Sequence, residues 1–290
     1  MVVWSEVLRA QAHARHQSYI AARLLMLLFA SFGSDSAYEG LSYNVLRQLS
    51  LGYPNSYYKV FTTKHLPDEY NEYGRTHPRG YGYFLWKPYI IKHCLDSLAE
   101  DDVLLYVDGR SGIDHEQQSV KWLDRFVSAP QYDLAAWQMD LLEQAWTTQD
   151  LIHAMGNAED LPSVESGQFS ATYHAWRCNS RSRSFVDNWL NSMHKHKDLC
   201  RDETLFNPTV LPNHDQFKEN RYDQSVFSLQ LKNWLKQDSI NLMLLSTEEL
   251  RQDNLRIHKY SHPVRQVSLR ERIARAPRNM ARRVYRSLVK

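Results

Sequence analysis

The stretch Val103-Leu104-Leu105-Tyr106-Val107-Asp108-Gly109-Arg110 decides how the chain is read. An unbroken apolar run, opened by the acidic loop Glu100-Asp101-Asp102 and closed by Asp-Gly, describes a strand buried on both faces. Such strands belong to parallel sheets covered by helices on both sides. In open sheets of that class, ligands bind outside the carboxyl ends of the strands. Asp108 therefore stands where a rigid strand presents a carboxylate to a metal ion or a ribose, with Gly109 leaving space beside it. A carboxylate that merely caps the turn accounts for Asp108 equally well.

The segments around this strand have the order of an α/β fold. Leu24-Leu25-Met26-Leu27-Leu28-Phe29-Ala30 reads as a buried strand ending in the turn Ser31-Phe32-Gly33-Ser34-Asp35. Tyr38, Leu41, Val45 and Leu49 then recur at helical spacing, and Tyr57-Tyr58-Lys59-Val60-Phe61-Thr62 is a second strand. This β-α-β order points to a parallel sheet. Pro88 sits in the first turn of a helix that carries Ile91, Leu95 and Leu98. Leu134-Ala135-Ala136-Trp137 is a short strand, and Phe169, Ala171, Tyr173 and Ala175 alternate as in a half-buried one. A helix begun by Ser182 or Ser184 holds Phe185, Val186, Trp189, Leu190 and Met193. Another, entered through Asp223-Gln224-Ser225, holds Phe227, Leu231, Trp234 and Leu235, and Asn241 to Leu245 is a late strand.

Without an internal repeat, the parse is an arm over residues 1–19, one domain over 20–263 and a tail over 264–290. The 290 residues are 43% hydrophobic, enough for one sizeable core. The 10 Gly and 10 Pro exclude a fibrous or low-complexity chain. Cys94, Cys178 and Cys200 are an odd number, too far apart for a metal knuckle or redox pair, which suits a reducing compartment. The start shows no signal-peptide pattern, and the longest apolar run, Leu24 to Phe32, is too short for a span of about 20 residues. A cytoplasmic protein is expected. Nine of the 35 Lys and Arg, but one of the 33 Asp and Glu, lie within residues 265–290, so an acidic body carries a basic tail. Drawn as a helix from Pro277, that tail sets Met280, Val284 and Leu288 in a stripe flanked by Arg278, Arg282, Arg283 and Arg286. Helices of that kind lie on anionic membrane surfaces, and a solvated tail is the competing account. No nucleic-acid reader motif accompanies these charges, so nucleic acid is not an expected partner.

Three further segments carry reactive side chains. In Tyr81-Gly82-Tyr83-Phe84-Leu85-Trp86-Lys87-Pro88, aromatics beside a lone Lys at a helix start suit stacking on a base or sugar with the cation near phosphate; packing in the core is the alternative. Asp223, in Arg221-Tyr222-Asp223-Gln224-Ser225, is either a helix cap or part of a polar site. His258, in Arg256-Ile257-His258-Lys259-Tyr260, follows the last strand.

The order of these segments resembles a family of bacterial GT-A-type glycosyltransferases found among capsule and O-antigen biosynthesis genes. The matching blocks are the first strand with its Ser-Phe-Gly turn, Gly80 to Pro88, Tyr106-Val107-Asp108-Gly109 and Trp146-Thr147-Thr148-Gln149-Asp150-Leu151. Glu165-Ser166-Gly167-Gln168, Ser184 to Leu190, and Arg221 to Leu229 complete them. The resemblance covers roughly Leu24 to His262, with Trp86-Lys87-Pro88 and Asp223-Gln224-Ser225 its most specific parts.

It implies a single GT-A-like, Rossmann-like α/β domain and a hexosyl or deoxyhexosyl transfer from a nucleotide-sugar donor. The acceptor would be a glycan or lipid-linked glycan of surface polysaccharide synthesis, reached from the inner face of the membrane. It further implies a divalent ion, Mn or Mg, at Asp108. Arg110, however, stands where metal-dependent members have the second acid of Asp-x-Asp, and hard cations need several oxygen ligands. Asp114 is the alternative second ligand. Arg110 is also suited to neutralise a leaving diphosphate. The donor-side candidates are thus Asp108, Gly109, Arg110, Lys87, Trp86 and His258. Asp223 is the first candidate for a base on the acceptor hydroxyl and Glu165 the second. A degenerate homologue that binds a nucleotide or glycan without turnover is the alternative function. A nucleotidyltransferase would show a Gly-rich basic phosphate loop near the start, which Ser31-Phe32-Gly33-Ser34-Asp35 is not.

Overall fold

The computed structural model describes residues 25–111, 120–201 and 211–252. Along the chain come β1 (Leu27–Gly33), α1 (Ser36–Gly52), β2 (Ser56–Thr62), α2 (Asp68–Thr76), α3 (Trp86–Ser97) and β3 (Val103–Val107). They are followed by α4 (Lys121–Ser128), β4 (Leu134–Leu142), α5 (Glu143–Trp146), α6 (Gln149–Ala154) and α7 (Leu161–Glu165). Then come β5 (Gly167–Arg177), α8 (Ser180–Lys195), α9 (Asp223–Lys236), β6 (Leu242–Leu245) and α10 (Thr247–Gln252). The sheet has six strands in the order β2-β1-β3-β5-β4-β6. All run parallel except β5, which lies antiparallel between β3 and β4. A mostly parallel sheet flanked by helices is the α/β class that the sequence indicated.

The burial of β3 shows why its sequence does not alternate. Val103, Leu105 and Val107 face α1 and α4, among Val45, Leu46, Leu49, Trp122, Leu123 and Phe126. Leu104 and Tyr106 face the opposite layer, among Ile90, Ile91 and Leu95 of α3, Trp189 of α8 and Phe227 of α9. Each fully buried aliphatic side chain contributes about 1.5–3 kcal/mol, so both faces select apolar residues.

The strand order fixes where a ligand belongs. From β1 the chain passes through α1 to β2 on one side, while β3 lies on the other side of β1. The direction of winding reverses between β1 and β3, and their carboxyl ends form the crevice that such sheets use for binding. Because β5 runs the other way, its beginning at Gly167 lies at the same edge; Leu142, the end of β4, is opposite Gly167.

Several boundaries differ from the sequence reading. The first strand is Leu27–Gly33 rather than 24–30, with Leu24 outside the described residues, and Ser31-Phe32-Gly33 belongs to the strand. Ser31 stays inside because its hydroxyl donates to Ser42 Oγ at 3.0 Å. β4 continues past Trp137 to Leu142. β5 is buried on both faces rather than half-buried, since it is an interior strand under helices. α8 starts at Ser180, two residues before the earlier of the two expected starts, because the Asn179 side chain caps it by accepting from Ser182 N. The arm over 1–19 and the tail over 264–290 lie outside the described residues. Among the described residues, no helix is long and apolar enough to cross a membrane.

Candidate active site

Three of the candidates converge at the switch point. Lys87 Nζ lies 2.6 Å from Asp223 Oδ2 and 3.2 Å from Asp108 Oδ1. It also donates to the carbonyl of Ala171 at 3.0 Å. An ammonium has three protons, and three groups surround this one: the Asp223 carboxylate, the Asp108 carboxylate through both oxygens, and the Ala171 carbonyl. The rings of Phe84 and Tyr106 add cation–π contacts at 4.9 and 5.6 Å. Lys87 is only 2% exposed, so its charge is held by the protein and does not reach solvent. Burial works against that charge, but Asp108 and Asp223 outweigh burial and keep the lysine pKa above its ordinary value.

The two carboxylates are not equivalent. The Asp108 side chain is 24% exposed and faces the crevice, whereas the Asp223 side chain is 5% exposed, behind Lys87. Burial pushes the Asp223 carboxyl up to about 6; the neighbouring Asp108 charge adds to this and Lys87 opposes it. Asp223 is the first residue of α9, not its cap, and the cap position belongs to Tyr222. Its carboxylate turns to Lys87 instead.

Both segments that deliver this pair are strained. Gly80, Tyr81, Gly82, Tyr83 and Phe84 have φ of 56, 50, 87, 52 and 62°, all left-handed, and Tyr222 has φ 55° and ψ −120°. Non-glycine residues in such regions cost of order 1–3 kcal/mol each and persist where the surroundings over-determine them. Here the two segments hold each other. Tyr83 and Phe84 pack on the Tyr222 ring at 5.2 and 6.4 Å, and Arg79 lies over the same ring at 4.9 Å while pairing with Glu219. Gly80 has no alternative: a Cβ there would meet the Phe84 ring at 2.3 Å. Trp86 closes the turn by donating to the Gly80 carbonyl at 3.0 Å.

The sheet supplies the remaining parts. Ala136 of β4 faces His174 of β5 but Gln138 faces Phe169, so β5 bulges between them, and the Ala171 carbonyl in that bulge accepts from Lys87. Bulges often re-aim groups beside functional sites. Tyr106 donates to Asp108 Oδ1 at 2.8 Å, its own pKa raised by burial and by Asp108, so it serves as a fixed neutral donor. Behind it His174 stacks at 5.4 Å and accepts from Trp176 Nε1 at 2.7 Å on Nδ1. Burial, and then Lys87, lowers the His174 pKa, so the imidazole is neutral, with its proton on Nε2.

At the mouth, Arg110 is exposed, lies 5.0 Å over the Tyr38 ring and donates to the Tyr38 hydroxyl. Tyr38 is in the first turn of α1, whose cap is Asp35. Gly109 serves close packing: a Cβ there would fall 2.2 Å from Ser42 Oγ of α1. Glu165 ends α7, exposed on the same edge of the sheet and outside the Lys87 cluster. Trp86 is a core residue, 4% exposed and packed on Phe32 with ring centroids 4.0 Å apart and the rings tilted by 31°. His258 and Asp114 lie outside the described residues.

The sequence reading named Gln168 only as part of a matching block and gave no role to Glu143, Gln168 or Lys232. Glu143 is fully buried, 2.8 Å from Lys232 Nζ, and accepts from Thr147 and Gln168 at 2.6 and 2.8 Å. Gln224, next to Asp223, donates to Gln168 at 2.8 Å, which links this pair to the candidate site. Lys232 lies on α9 between Leu231 and Asn233, and no local pattern marks it as the partner of Glu143, which is 89 residues away in sequence. Away from this edge, the described residues form a cleft of about 380 Å³ lined by Asn191, Gln230, Asn233 and Trp234, toward the far end of α9 from Asp223.

Among the described residues, the donor set beside Asp108 does not suit a divalent ion. Asp108 follows the end of β3 and Asp223 opens α9, and the Lys87 ammonium lies between their carboxylates. Arg110, in the position of the second acid, turns to Tyr38. Among the described residues, no three His, Cys, Asp or Glu side chains gather as a metal site.

No protein-family model matches the chain, and no curated protein matches it in sequence. Among solved structures, it is similar to a glycosyltransferase involved in the glycosylation of the major capsid of PBCV-1. That match has a TM-score of 0.37 and 9% identity, and covers 68% of this chain and 81% of the other. An active-site mutant of LgtC matches with a TM-score of 0.36 and 12% identity, over 60% of this chain and 65% of that one. The apo form of the glycosyltransferase GlyE of Streptococcus pneumoniae TIGR4 matches with 0.36 and 14%, over 74% of this chain and 44% of that one.

Proposed function

We propose that the chain is a GT-A-type glycosyltransferase that takes a nucleotide sugar at the carboxyl ends of β1 and β3. The observation that carries this reading is Asp108. It is a partly exposed carboxylate at the switch point, held from behind by Lys87 and Tyr106, with the Arg110 guanidinium at the mouth. The blocks from Gly80 to Pro88 and from Arg221 to Leu229, which resemble the glycosyltransferase family, are the segments that build the cluster behind it.

In this reading Asp108 accepts hydrogen bonds from donor hydroxyls, and Arg110 pairs with the diphosphate. The acceptor hydroxyl attacks the anomeric carbon as the bond to the diphosphate oxygen breaks. The electron pair leaves with the nucleoside diphosphate, where Arg110 offsets the growing charge. The hydroxyl proton goes to a carboxylate. Glu165 is exposed at this edge and is assigned that role, while Asp223, enclosed behind Lys87, positions Lys87 and Asp108. The donor sugar is proposed to be a hexose or deoxyhexose and the acceptor a glycan or lipid-linked glycan of surface polysaccharide synthesis. A peripheral place at the inner membrane face is proposed for the basic segment 264–290. Co-sedimentation with anionic vesicles at low salt, lost on truncation at Pro263, supports that placement; equal sedimentation of both forms removes it.

A panel of nucleotide sugars tests the main reading by thermal shift and by slow hydrolysis. The expected result is one nucleotide class that raises the melting temperature and releases nucleoside diphosphate, both lost in Asp108→Ala. Binding without release in any acceptor-containing assay supports the degenerate homologue instead. A panel in which nothing binds rejects both.

A further inference from the structure

The Lys87 ammonium occupies the position that a bridging cation would take between the two carboxylates. It is 2.6 Å from Asp223, 3.2 Å from Asp108 and 3.0 Å from the Ala171 carbonyl. We infer that Lys87 is a tethered cation in place of a divalent metal, and that donor binding at this edge is metal-independent.

The chemistry supports this in three ways. A hard divalent ion collects six or more oxygen ligands, including carboxylates at 2.0–2.6 Å, roughly. Here two carboxylates and one carbonyl are already grouped around a fixed positive charge, and like charges in a buried space repel. Secondly, the lysine cannot withdraw cheaply. Its stem enters from the second position of α3, next to Pro88, and the Phe84 and Tyr106 rings enclose its charge. Thirdly, Arg110 provides a solvent-facing cation for the diphosphate. Its planar fork matches phosphate oxygens and carries its charge at all ordinary pH values. The two tasks that one metal performs in metal-dependent sites, tying the strand-end acid in place and neutralising phosphate, are thus divided between Lys87 and Arg110.

The inference rests on the reading of this edge as the donor site, but its first test needs no donor. Mn²⁺ is titrated into the full-length wild-type chain and followed by the loss of the free-ion electron paramagnetic resonance signal. Expected is no stoichiometric binding that Asp108→Asn removes. Stoichiometric Mn²⁺ in the wild type that disappears in Asp108→Asn overturns the inference. In Lys87→Ala the two carboxylates face each other without a counter-charge, and Mn²⁺ affinity is expected to rise by about tenfold or more, some 1.4 kcal/mol. A folded Lys87→Ala with wild-type Mn²⁺ behaviour counts against Lys87 as the substitute cation. If that variant does not fold, the wild-type titration still decides. In the second test, nucleoside diphosphate binding is measured by calorimetry with EDTA and with added Mn²⁺. Equal affinity supports metal independence, and affinity lost in EDTA overturns it. Absence of any nucleotide binding rejects the donor-site reading and leaves the Mn²⁺ result to stand by itself.

Discussion

Lys87 Nζ lies 2.6 Å from Asp223 Oδ2, although the two residues come from different helices and each follows a strained segment of backbone. The contact sets how Asp108 is presented. Lys87 is shared between the two carboxylates, and protonating Asp223 is expected to leave Asp108 as its remaining ionic partner.

Transfer is therefore expected to rise with pH through about 6, where Asp223 ionises. Asp223→Asn should remove that limb and lower turnover on the order of a hundredfold, the scale of a misplaced reacting group. Donor affinity should change less. A pH–rate profile and donor calorimetry on both proteins check this. An unchanged acid limb in the variant would show that another group titrates.

The same group makes a prediction for stability. Its folded pKa, about 6, exceeds the ordinary carboxyl value of 3.8, so the folded state holds the proton more tightly. The stability this contributes is fully present below 3.8 and is lost as pH rises through about 6. Unfolding free energies measured by denaturant from pH 4 to 7 should fall more steeply for wild type than for Asp223→Asn.

Arg110→Ala is expected to weaken nucleoside diphosphate binding by about ten- to a hundredfold, the range for a charge-assisted hydrogen bond. Its exposed position predicts little change in melting temperature. Arg110→Lys should recover the salt dependence of binding but only part of the affinity, because an ammonium lacks the planar fork. Calorimetry at two salt concentrations reads both quantities.

Glu143 and Lys232 form a buried pair at 2.8 Å, with side-chain exposures of 0% and 5%. Glu143→Gln leaves an unpaired buried ammonium and should cost about 3–5 kcal/mol in denaturant unfolding. Glu143→Leu combined with Lys232→Met should cost much less, since neither charge then remains buried. If the double variant is no more stable than Glu143→Gln, the pair has a role beyond charge compensation, through Gln168 and Gln224.

The sequence by itself determined the α/β class, the strands at Val103–Val107 and around Phe61, and the helices that carry Ile91, Val186 and Phe227. Buried apolar runs and helical periodicity are local signals, written along the chain at the spacing of the element itself. It also placed Asp108 at a strand end, because a strand, a carboxylate and a glycine are neighbours in sequence. It left the partner of each charge open. Lys87 reads equally well as a phosphate ligand at a helix start, and Asp223 as a helix cap, until the sheet order brings α3 and α9 together beside β3. The antiparallel course of β5, the bulge that turns the Ala171 carbonyl to Lys87, and the pairing of Glu143 with Lys232 were likewise decided only by the tertiary structure. Each of these depends on which segments become neighbours across the sheet. That choice is made by packing two apolar faces at once, and no single stretch of the chain records it.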